Sequence, residues 1–582
     1  MSRGVIAERA RLSLFVLGRS FRGSLARLKG HRLLRWRYAA NRTDRLLIAP
    51  PELRTADPTR ASEIYAGRFV FAGKVVVCDS RSPFEITPPS DEWTEVLAGF
   101  GWLRHLKAAD SNLTRNNARS LVEAWLDGAS RAEVVAKRPD VTARRLMSWL
   151  MNAPFLLDGA EPRFYTRLMR NVLREARYLN GVRASTPDGL ARLQVLTALT
   201  YAGVCLAGQM RLLKAASRRL ADELDRQVLP DGGHISRNPG VLIELLLDLL
   251  PLRQAFGARN LATPPALVNA IERMMPMLRF FRHSDGAFAN FNGMGPTRTD
   301  QLATVLAYDD ARGRPVENAT HSGYQRLEAA GAVIIMDTGK APPLPVSFDA
   351  HAGCLAFELS SGRHRIVVNC GLPAVGREVW RHHARLTVAH STLCVGHASS
   401  CRFVQSARLQ RQIGVPIVGG PTDVPVHRER GDQGAAVAAS HDGYAAQFGL
   451  VHERHVVLAD GGRRVDGEDS LRALGRSTRN VPPVVFVRFH LHPSVRAARL
   501  THREGVLLTL PNRDVWTFEC LEGEVSLEDS VFLAGRDGPR HTKQIVVKVA
   551  TRGLPRIAWS FVNVEPAEAQ AVHRVRQQEL PL

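Results

Sequence analysis

The sequence has no long apolar run, few cysteines, no internal repeat and no low-complexity tract, and each absence removes a class of protein. No stretch approaches the ~18–20 consecutive apolar residues that a membrane-spanning helix requires. The apolar run Leu12–Leu17 is about half of a signal-peptide core, and Arg19 and Arg22 follow with no small-residue cleavage site, so no secretory signal is expected. Seven cysteines among 582 residues include no C-x-x-C pair, which argues against a zinc knuckle and a dithiol redox centre. Their odd number predicts reduced, partly buried thiols rather than a disulfide framework. Acidic residues are scarce at the start: residues 1–50 hold 12 Lys and Arg against only Glu8 and Asp44.

What is present is an ordinary globular composition, 45% hydrophobic and 23% charged, in a chain too long for one core. Two or more domains are therefore expected. The net charge of +22 would attract any polyanion, whether nucleic acid, anionic lipid or acidic polysaccharide, and a general preference for Arg accounts for it equally well. No helix-turn-helix, zinc or RNA-binding aromatic signature is present, so nucleic acid ranks last among partners. Residues 5–37 mix apolar and Arg positions at helical spacing. They fit either a basic amphipathic helix making peripheral contact with an anionic membrane or a helix docked on the body.

The hydrophobic period divides the chain. From Ser90 to about Phe281 apolar residues recur at helical spacing, predicting about eight helices, among them Trp93–Leu106, Pro162–Leu179 and Leu190–Gly208. Short Gly, Pro and Asp punctuation between them suggests hairpin pairs in an arc or toroid. After about residue 320 the period becomes two and β-branched residues increase, predicting an antiparallel sandwich with strands such as Ala332–Met336, Cys354–Leu359 and Val484–Leu491. The expected division is a basic N-terminal segment over 1–50, a helical domain over 51–320 and a β domain over 321–582.

Three segments concentrate polar chemistry. The first, Pro230–Pro239 (PDGGHISRNP), places His234, Ser236, Arg237 and Asn238 behind two glycines and before a helix, which suits an anion site or a simple helix cap. In the second, Asp349–Glu358 and Arg365–Gly371 read as a hairpin with His351 and Asn369 near one end, and His390 opens a further strand. Two histidines and an amide oxygen at one rim could hold zinc; ordinary polar contacts are the plainer alternative. In the third, Arg377, Trp380, Arg381, His382, His383 and Arg385 form a basic and aromatic cluster that fits either a carboxylate or sulfate on a sugar, or a solvated loop. His490 and His492 read as structural.

Taken in order, PDGGHISRNP, SGYQRLEAAGAVIIMDTG, DAHAGCLAFELSSGRHRIVVNCG, AHSTLCV and RFHLHP resemble the heparinase II/III-like proteins over roughly residues 50–565. The resemblance implies a multidomain α and β architecture: an incomplete (α/α) toroid followed by an antiparallel β-sandwich. It also implies β-elimination on a uronic-acid-containing polysaccharide, in which one group neutralises the C6 carboxylate, a base takes the C5 proton and an acid protonates the departing O4.

By that resemblance His234 matches the neutralising group, His351 the second histidine of an H-x-H-x-D segment, Asn369 a metal-binding Asp, and His390 the histidine of an H-N/S-T motif. Asp349 stands where the first histidine is expected and Gly353 where the Asp is. Phe288–Asn292 contains no tyrosine at the expected base position, and Tyr308 and Tyr324 are the nearest. The catalytic candidates are thus His234, Asp349, His390 and Tyr324. The substrate-binding candidates are Arg237, Asn238, Asn292, Trp380, Arg381 and Arg385. The metal candidates are His351, Asn369 and His390, for a structural zinc that the chemistry does not require. The implied partner is an acidic polysaccharide and the implied location the cell envelope or periplasm, with the cytoplasm as alternative because no signal peptide is visible. A catalytically weak or inactive glycan-binding protein of the same fold is the other functional reading.

Overall fold

The computed structural model describes residues 12–18, 21, 45–128, 133–309, 313, 315–431, 434–475, 480–500 and 504–564. Most of the basic segment over 1–50 lies outside these residues, and among the described ones no helix is long and apolar enough to cross a membrane. The chain forms two compact units. One comprises Met1–Gly232, Val241–Met275 and Asp300–Arg312; the other comprises Gly233–Gly240, Pro276–Thr299 and Gly313–Leu582. The division therefore differs from a single boundary near 320, because Gly233–Gly240 and Pro276–Thr299 belong with the β-rich unit.

The first unit is helical. At its centre is Leu190–Cys205, whose Leu193, Val195, Leu199, Tyr201 and Val204 are all buried. A helix with no polar face has to be enclosed, and Pro139–Met151, Pro162–Val182 and Met210–Gln227 pack against it. Those last two are amphipathic, burying stripes such as Leu168, Val172, Ala176 and Leu179 and leaving arginines outward.

The predicted helix Trp93–Leu106 is two helices, Asp91–Ala98 and Leu103–Ala109. Phe100 between them adopts φ +55, and its ring is enclosed by Trp102, Trp125 and Trp149 at 5.1, 5.6 and 5.4 Å. Burial of a large ring is worth more than two further helical residues.

One carboxylate organises the polar interior of this unit. Asp248 accepts hydrogen bonds from Arg54 at 2.7 Å and from both terminal nitrogens of Arg144 at 2.8 Å. Glu244 takes the other Arg54 nitrogen at 2.9 Å. Burial alone would raise the Asp248 carboxyl, but Arg144 and Arg54 outweigh it and hold it at about 2.

The second unit is a sandwich of two antiparallel sheets. One runs in the order Val426–Gly431, Gly434–His441, Leu450–Leu458, Arg464–Ala473, Arg556–Val564, Val515–Cys520, Gly505–Thr509, Arg496–Arg499. The other runs Glu524–Phe532, Arg540–Ala550, Val484–Leu491, His364–Val368, Phe357–Ser361, Ala332–Asp337, Tyr324–Ala329, Asn318–Ala319, with Leu393–Val395 also paired to Val484–Leu491. Side chains from both inner faces share one core, including Ile334, Phe357 and Phe489 from one sheet and Val456, Phe518 and Phe561 from the other. All seven cysteines are buried and unpaired.

Several strands of the first sheet escape the sequence pattern for a physical reason. On Leu450–Leu458 the inward residues include His452 and Arg454, and on Arg464–Ala473 they include Gly467 and Asp469. Arg454 sits directly opposite Asp469 in register and bonds it at 2.8 Å through two nitrogens, while His452 meets Asp469 at 2.7 Å and Trp559 donates to it at 2.8 Å. Gly467 leaves room for that tryptophan, since a Cβ there would lie 2.1 Å from the indole. A buried polar cluster thus occupies positions where apolar residues would have announced the strands.

Asp248→Asn should cost about 3–5 kcal/mol, because Arg54 and Arg144 would lose their shared counter-charge. Urea denaturation followed by circular dichroism measures this. The wild-type group has a depressed folded pKa, so its contribution is present above the unfolded value and lost as the pH falls through about 2. The variant should lack that part of the acid transition.

Candidate functional site

The candidate residues of the β-rich unit are built on a buried arginine. Arg237 lies in the short segment Gly233–Gly240 at φ +61, a conformation uncommon for a side-chain-bearing residue. Four acceptors hold it: the carbonyls of Ser322 at 2.7 Å, Gly323 at 2.9 Å and Lys340 at 3.0 Å, and the Asp337 carboxylate at 2.5 Å. Its guanidinium also stacks 4.7 Å from the Tyr324 ring. Burial would lower its pKa, but Asp337 and Tyr324 outweigh that and raise it beyond the usual arginine range.

Tyr324 closes the brace from the other side. Its hydroxyl donates to the Arg237 carbonyl at 2.6 Å and accepts from Asn292 Nδ2 at 2.7 Å, and its ring packs edge-on to Phe281 at 4.9 Å. Its solvent exposure is 0%. Asn292, at φ +46, also donates to Asp337 at 3.0 Å and accepts the His351 amide at 3.1 Å. His234 is 2% exposed, and its Nδ1 accepts the Ser236 amide at 3.1 Å and lies 2.8 Å from the Ser236 hydroxyl.

His351 and His390 meet, but as a hydrogen-bonded chain. The Gly293 amide donates to His351 Nε2 at 3.1 Å; His351 Nδ1 lies 2.9 Å from His390 Nε2; His390 Nδ1 lies 2.9 Å from the Leu386 carbonyl. This pattern assigns one proton to Nδ1 of each ring and leaves both neutral. Burial first, then His390 and Arg385, push His351 well below the ordinary histidine value. Burial takes His390 down to about 4. A side chain at Gly353 would place its Cβ 2.7 Å from the His390 ring, so glycine at this position makes room for the pair.

Asn369 belongs to a neighbouring cluster. Its amide nitrogens donate to Glu358 Oε1 at 2.9 and 3.4 Å, and its Oδ1 accepts the Ser391 amide at 3.0 Å. Glu358, fully buried, also accepts the Asn290 amide at 3.0 Å and faces His283 at 3.2 Å. Glu358 falls within the predicted strand Cys354–Leu359, where the sequence alone gives it no role. The available signal was a carboxylate alternating with Phe357 and Leu359, on the face of the strand away from the core.

These residues do not fit a zinc site. The two imidazoles bond each other through nitrogens that would have to bind the metal, and the Asn369 oxygen is engaged with backbone. Among the described residues no group of three or more His, Cys, Asp and Glu is arranged to hold a metal ion.

Toward solvent the picture changes. Asp349, with its side chain 40% exposed, forms an ion pair with Arg381 at 2.8 Å. Gly293, at φ +92, brings Asn238 alongside: a Cβ there would lie 2.8 Å from Asp349 Cβ and 3.0 Å from Asn238 Nδ2. Arg381, His382 and His383 are exposed and Trp380 is half-buried against Leu372 and Ala384; the Arg377 side chain lies outside the described residues. Arg385 departs from its neighbours. It is buried, donates to the carbonyls of Ala350, Ser347 and Val415 at 2.8, 2.9 and 2.6 Å, and burial lowers it to about 10. His490 and His492 bond Ser530 and Ser494, both at 2.8 Å.

The expected roles therefore separate. Arg237, Asn292 and Arg385, read from sequence as substrate contacts, are internal braces, because burial and carbonyl acceptors consume their donors. Tyr324, one of the catalytic candidates, is enclosed. Asp349, Asn238, Trp380 and Arg381 reach solvent together.

Comparison with known proteins gives a consistent picture. Residues 311–560 match the family model described as Heparinase II/III-like, C-terminal. FtsZ-localized protein C of Caulobacter vibrioides is 31% identical over 549 residues, covering 92% of each chain. The crystal structure of heparinase III is similar at a TM-score of 0.69 and 13% identity, covering 91% of this chain and 89% of that one. A heparan sulfate lyase HepC mutant from Pedobacter heparinus gives 0.62 at 15% identity, covering 96% and 88%. At these identities the structural likeness shows the fold, an (α/α) toroid followed by an antiparallel β-sandwich.

The neutral histidine pair has a pH signature. An unfolded histidine titrates near ~6.5, so as the pH falls the unfolded chain takes up protons before the fold does. The stability contributed by the pair is complete above that value and lost as the pH drops toward the folded value, about 4 for His390. The melting temperature should fall between about pH 7 and about pH 5. In the variant carrying His351→Asn and His390→Asn the slope should be shallower; an unchanged slope would mean that the pair is not neutral in the fold.

Proposed function

Because this chain belongs to the heparinase II/III-like family of polysaccharide lyases, we propose that it binds an acidic polysaccharide and does not cleave it. The burial of Tyr324 carries this reading. β-Elimination needs a neutralising group, a base and an acid around one sugar, each within hydrogen-bond reach of the reacting atoms. His234, His390 and Tyr324 are each buried and tied to neighbours, so three of the four catalytic candidates serve the interior. The fourth, Asp349, is an exposed carboxylate whose charge is engaged by Arg381 and which repels an anionic sugar.

What remains at the surface suits recognition. Arg381 presents a planar guanidinium to carboxylate or sulfate, Trp380 offers an aromatic face for a sugar ring, and Asn238 supplies an amide. We place the protein at the cell envelope on the same footing, with the basic N-terminal segment in peripheral contact with an anionic membrane surface.

A second reading, compatible with the first, is favoured by the 31% identity to FtsZ-localized protein C. On that reading the chain is itself positioned with FtsZ, and co-sedimentation with FtsZ polymers tests it directly.

Incubation with heparin, heparan sulfate, chondroitin sulfate and alginate should give no ultraviolet absorbance from an unsaturated product, while at least one of them is retained on the immobilised protein. Arg381→Ala should weaken that retention roughly tenfold, the scale of one charge-assisted contact. An absorbance rise that is abolished by Asp349→Asn would overturn the reading in favour of a lyase using Asp349 as its base.

A further inference from the structure

The helical unit holds a separate feature that the polysaccharide reading does not use. Between the helices Pro162–Val182 and Met210–Gln227 lies a cavity of about 320 Å³, floored by Leu173 and Ala176 and rimmed by Arg177, Arg183, Arg211 and Arg219. It adjoins a second cavity of about 470 Å³ that is also lined by Arg183 and Arg219. Both volumes fall in the range of small-molecule sites, ~300–1,000 Å³.

Three of the guanidinium groups around this cavity, those of Arg183, Arg211 and Arg219, are the ones that bear on a ligand. Some arginines of the unit are paired, Arg145 with Glu175 at 2.7 Å and Arg226 with Glu223 at 2.6 Å. Among the described residues, Arg183, Arg211 and Arg219 have no carboxylate within ion-pairing distance. Arg183 donates to the Asn180 side-chain oxygen at 3.0 Å and Arg219 to the Ala215 carbonyl at 3.2 Å, both neutral acceptors. Burial first, then the charge of Arg219, lower the Arg183 guanidinium from its usual value. Like charges gathered at a partly enclosed site repel one another, and an anion placed among them would offset that repulsion.

We propose that this cavity binds a phosphate or sulfate monoester, its anionic head among Arg183, Arg211 and Arg219 and its body on the apolar floor. A tetrahedral oxyanion offers three acceptor oxygens, and phosphate carries about −1.5 to −2 charges, matching several guanidinium groups better than the single charge of a carboxylate. The adjoining cavity is lined by Asp222 and Glu223, so the body that extends there is neutral and polar, as a sugar is.

Isothermal titration of the full-length chain tests this with glucose 6-phosphate, inorganic phosphate and acetate. Flotation with phosphatidylcholine vesicles, with and without phosphatidic acid, tests a lipid head group as the source. Glucose 6-phosphate or the phosphatidic acid vesicles should bind, identifying a soluble or a lipid ester respectively, and acetate should not. Combined Arg183→Gln and Arg219→Gln should weaken that binding by roughly tenfold or more. Arg211→Gln, at an exposed position without a structural hydrogen bond, should weaken it in the same direction and guards against misfolding of the double variant. Failure of both phosphate esters to bind, equal binding of acetate, or unchanged affinity in both variants would overturn the proposal.

Discussion

Buried arginine paired with buried carboxylate is the interaction on which both units depend. In the β-rich unit Arg454 and Asp469 face each other across neighbouring strands, and the other arm of Arg454 donates to the carbonyls of Leu355 and Ser391, both at 2.8 Å. One side chain in the interior of the sandwich thereby fixes the backbone of two loops that carry the candidate residues, those beginning at His351 and His390. Arg237 does the same through Asp337 and three carbonyls, and Asp248 does it for the helices. Removing one partner of such a pair leaves a charge without compensation in a low-dielectric interior, so each pair is costly to break.

That constraint bears on chemistry as well as stability. A group that acts on a substrate must present a donor, an acceptor or a proton outward, and a buried group already bonded to its neighbours has none to present. Arg237, Asn292, Tyr324 and His390 spend theirs on one another and on backbone carbonyls. The His351–His390 chain shows the trade clearly: glycine at 353 opens space that an imidazole fills, and the two rings then satisfy each other where a metal would need both. The polar network that remains is neutral at its histidines, fully bonded, and inward. Its solvent-facing remainder is the half-exposed Asp349–Arg381 ion pair with Trp380 and Asn238 nearby.

The helical unit distributes its charge differently. The cavity between Pro162–Val182 and Met210–Gln227 gathers three guanidinium groups without a carboxylate partner among the described residues, two of which, Arg183 and Arg219, donate to neutral acceptors. The net charge of +22 said only that some polyanion is attracted. The location of unbalanced guanidinium groups narrows this to a cavity with a floor, a rim and a preferred kind of ligand.

By itself the sequence determined the two classes of secondary structure, the order of helices before strands, the buried free thiols and the family. All of these follow from residue periodicity or from motifs that are local along the chain. It also placed His351, Asn369 and His390 at one rim; the two histidines meet at 2.9 Å, while Asn369, the hairpin partner expected for His351, bonds Glu358 and Ser391 instead. What it could not determine was the sign of each polar residue's role. Arg237 and Arg381 look alike in a string of letters, as do Arg385 and its exposed neighbours; only tertiary packing decides which guanidinium meets backbone carbonyls and which meets water. The same limit hid the strands Leu450–Leu458 and Arg464–Ala473, whose inward positions hold His452, Arg454, Gly467 and Asp469. A buried charge reads as surface until its partner, here on the adjacent strand and directly in register, is found in three dimensions.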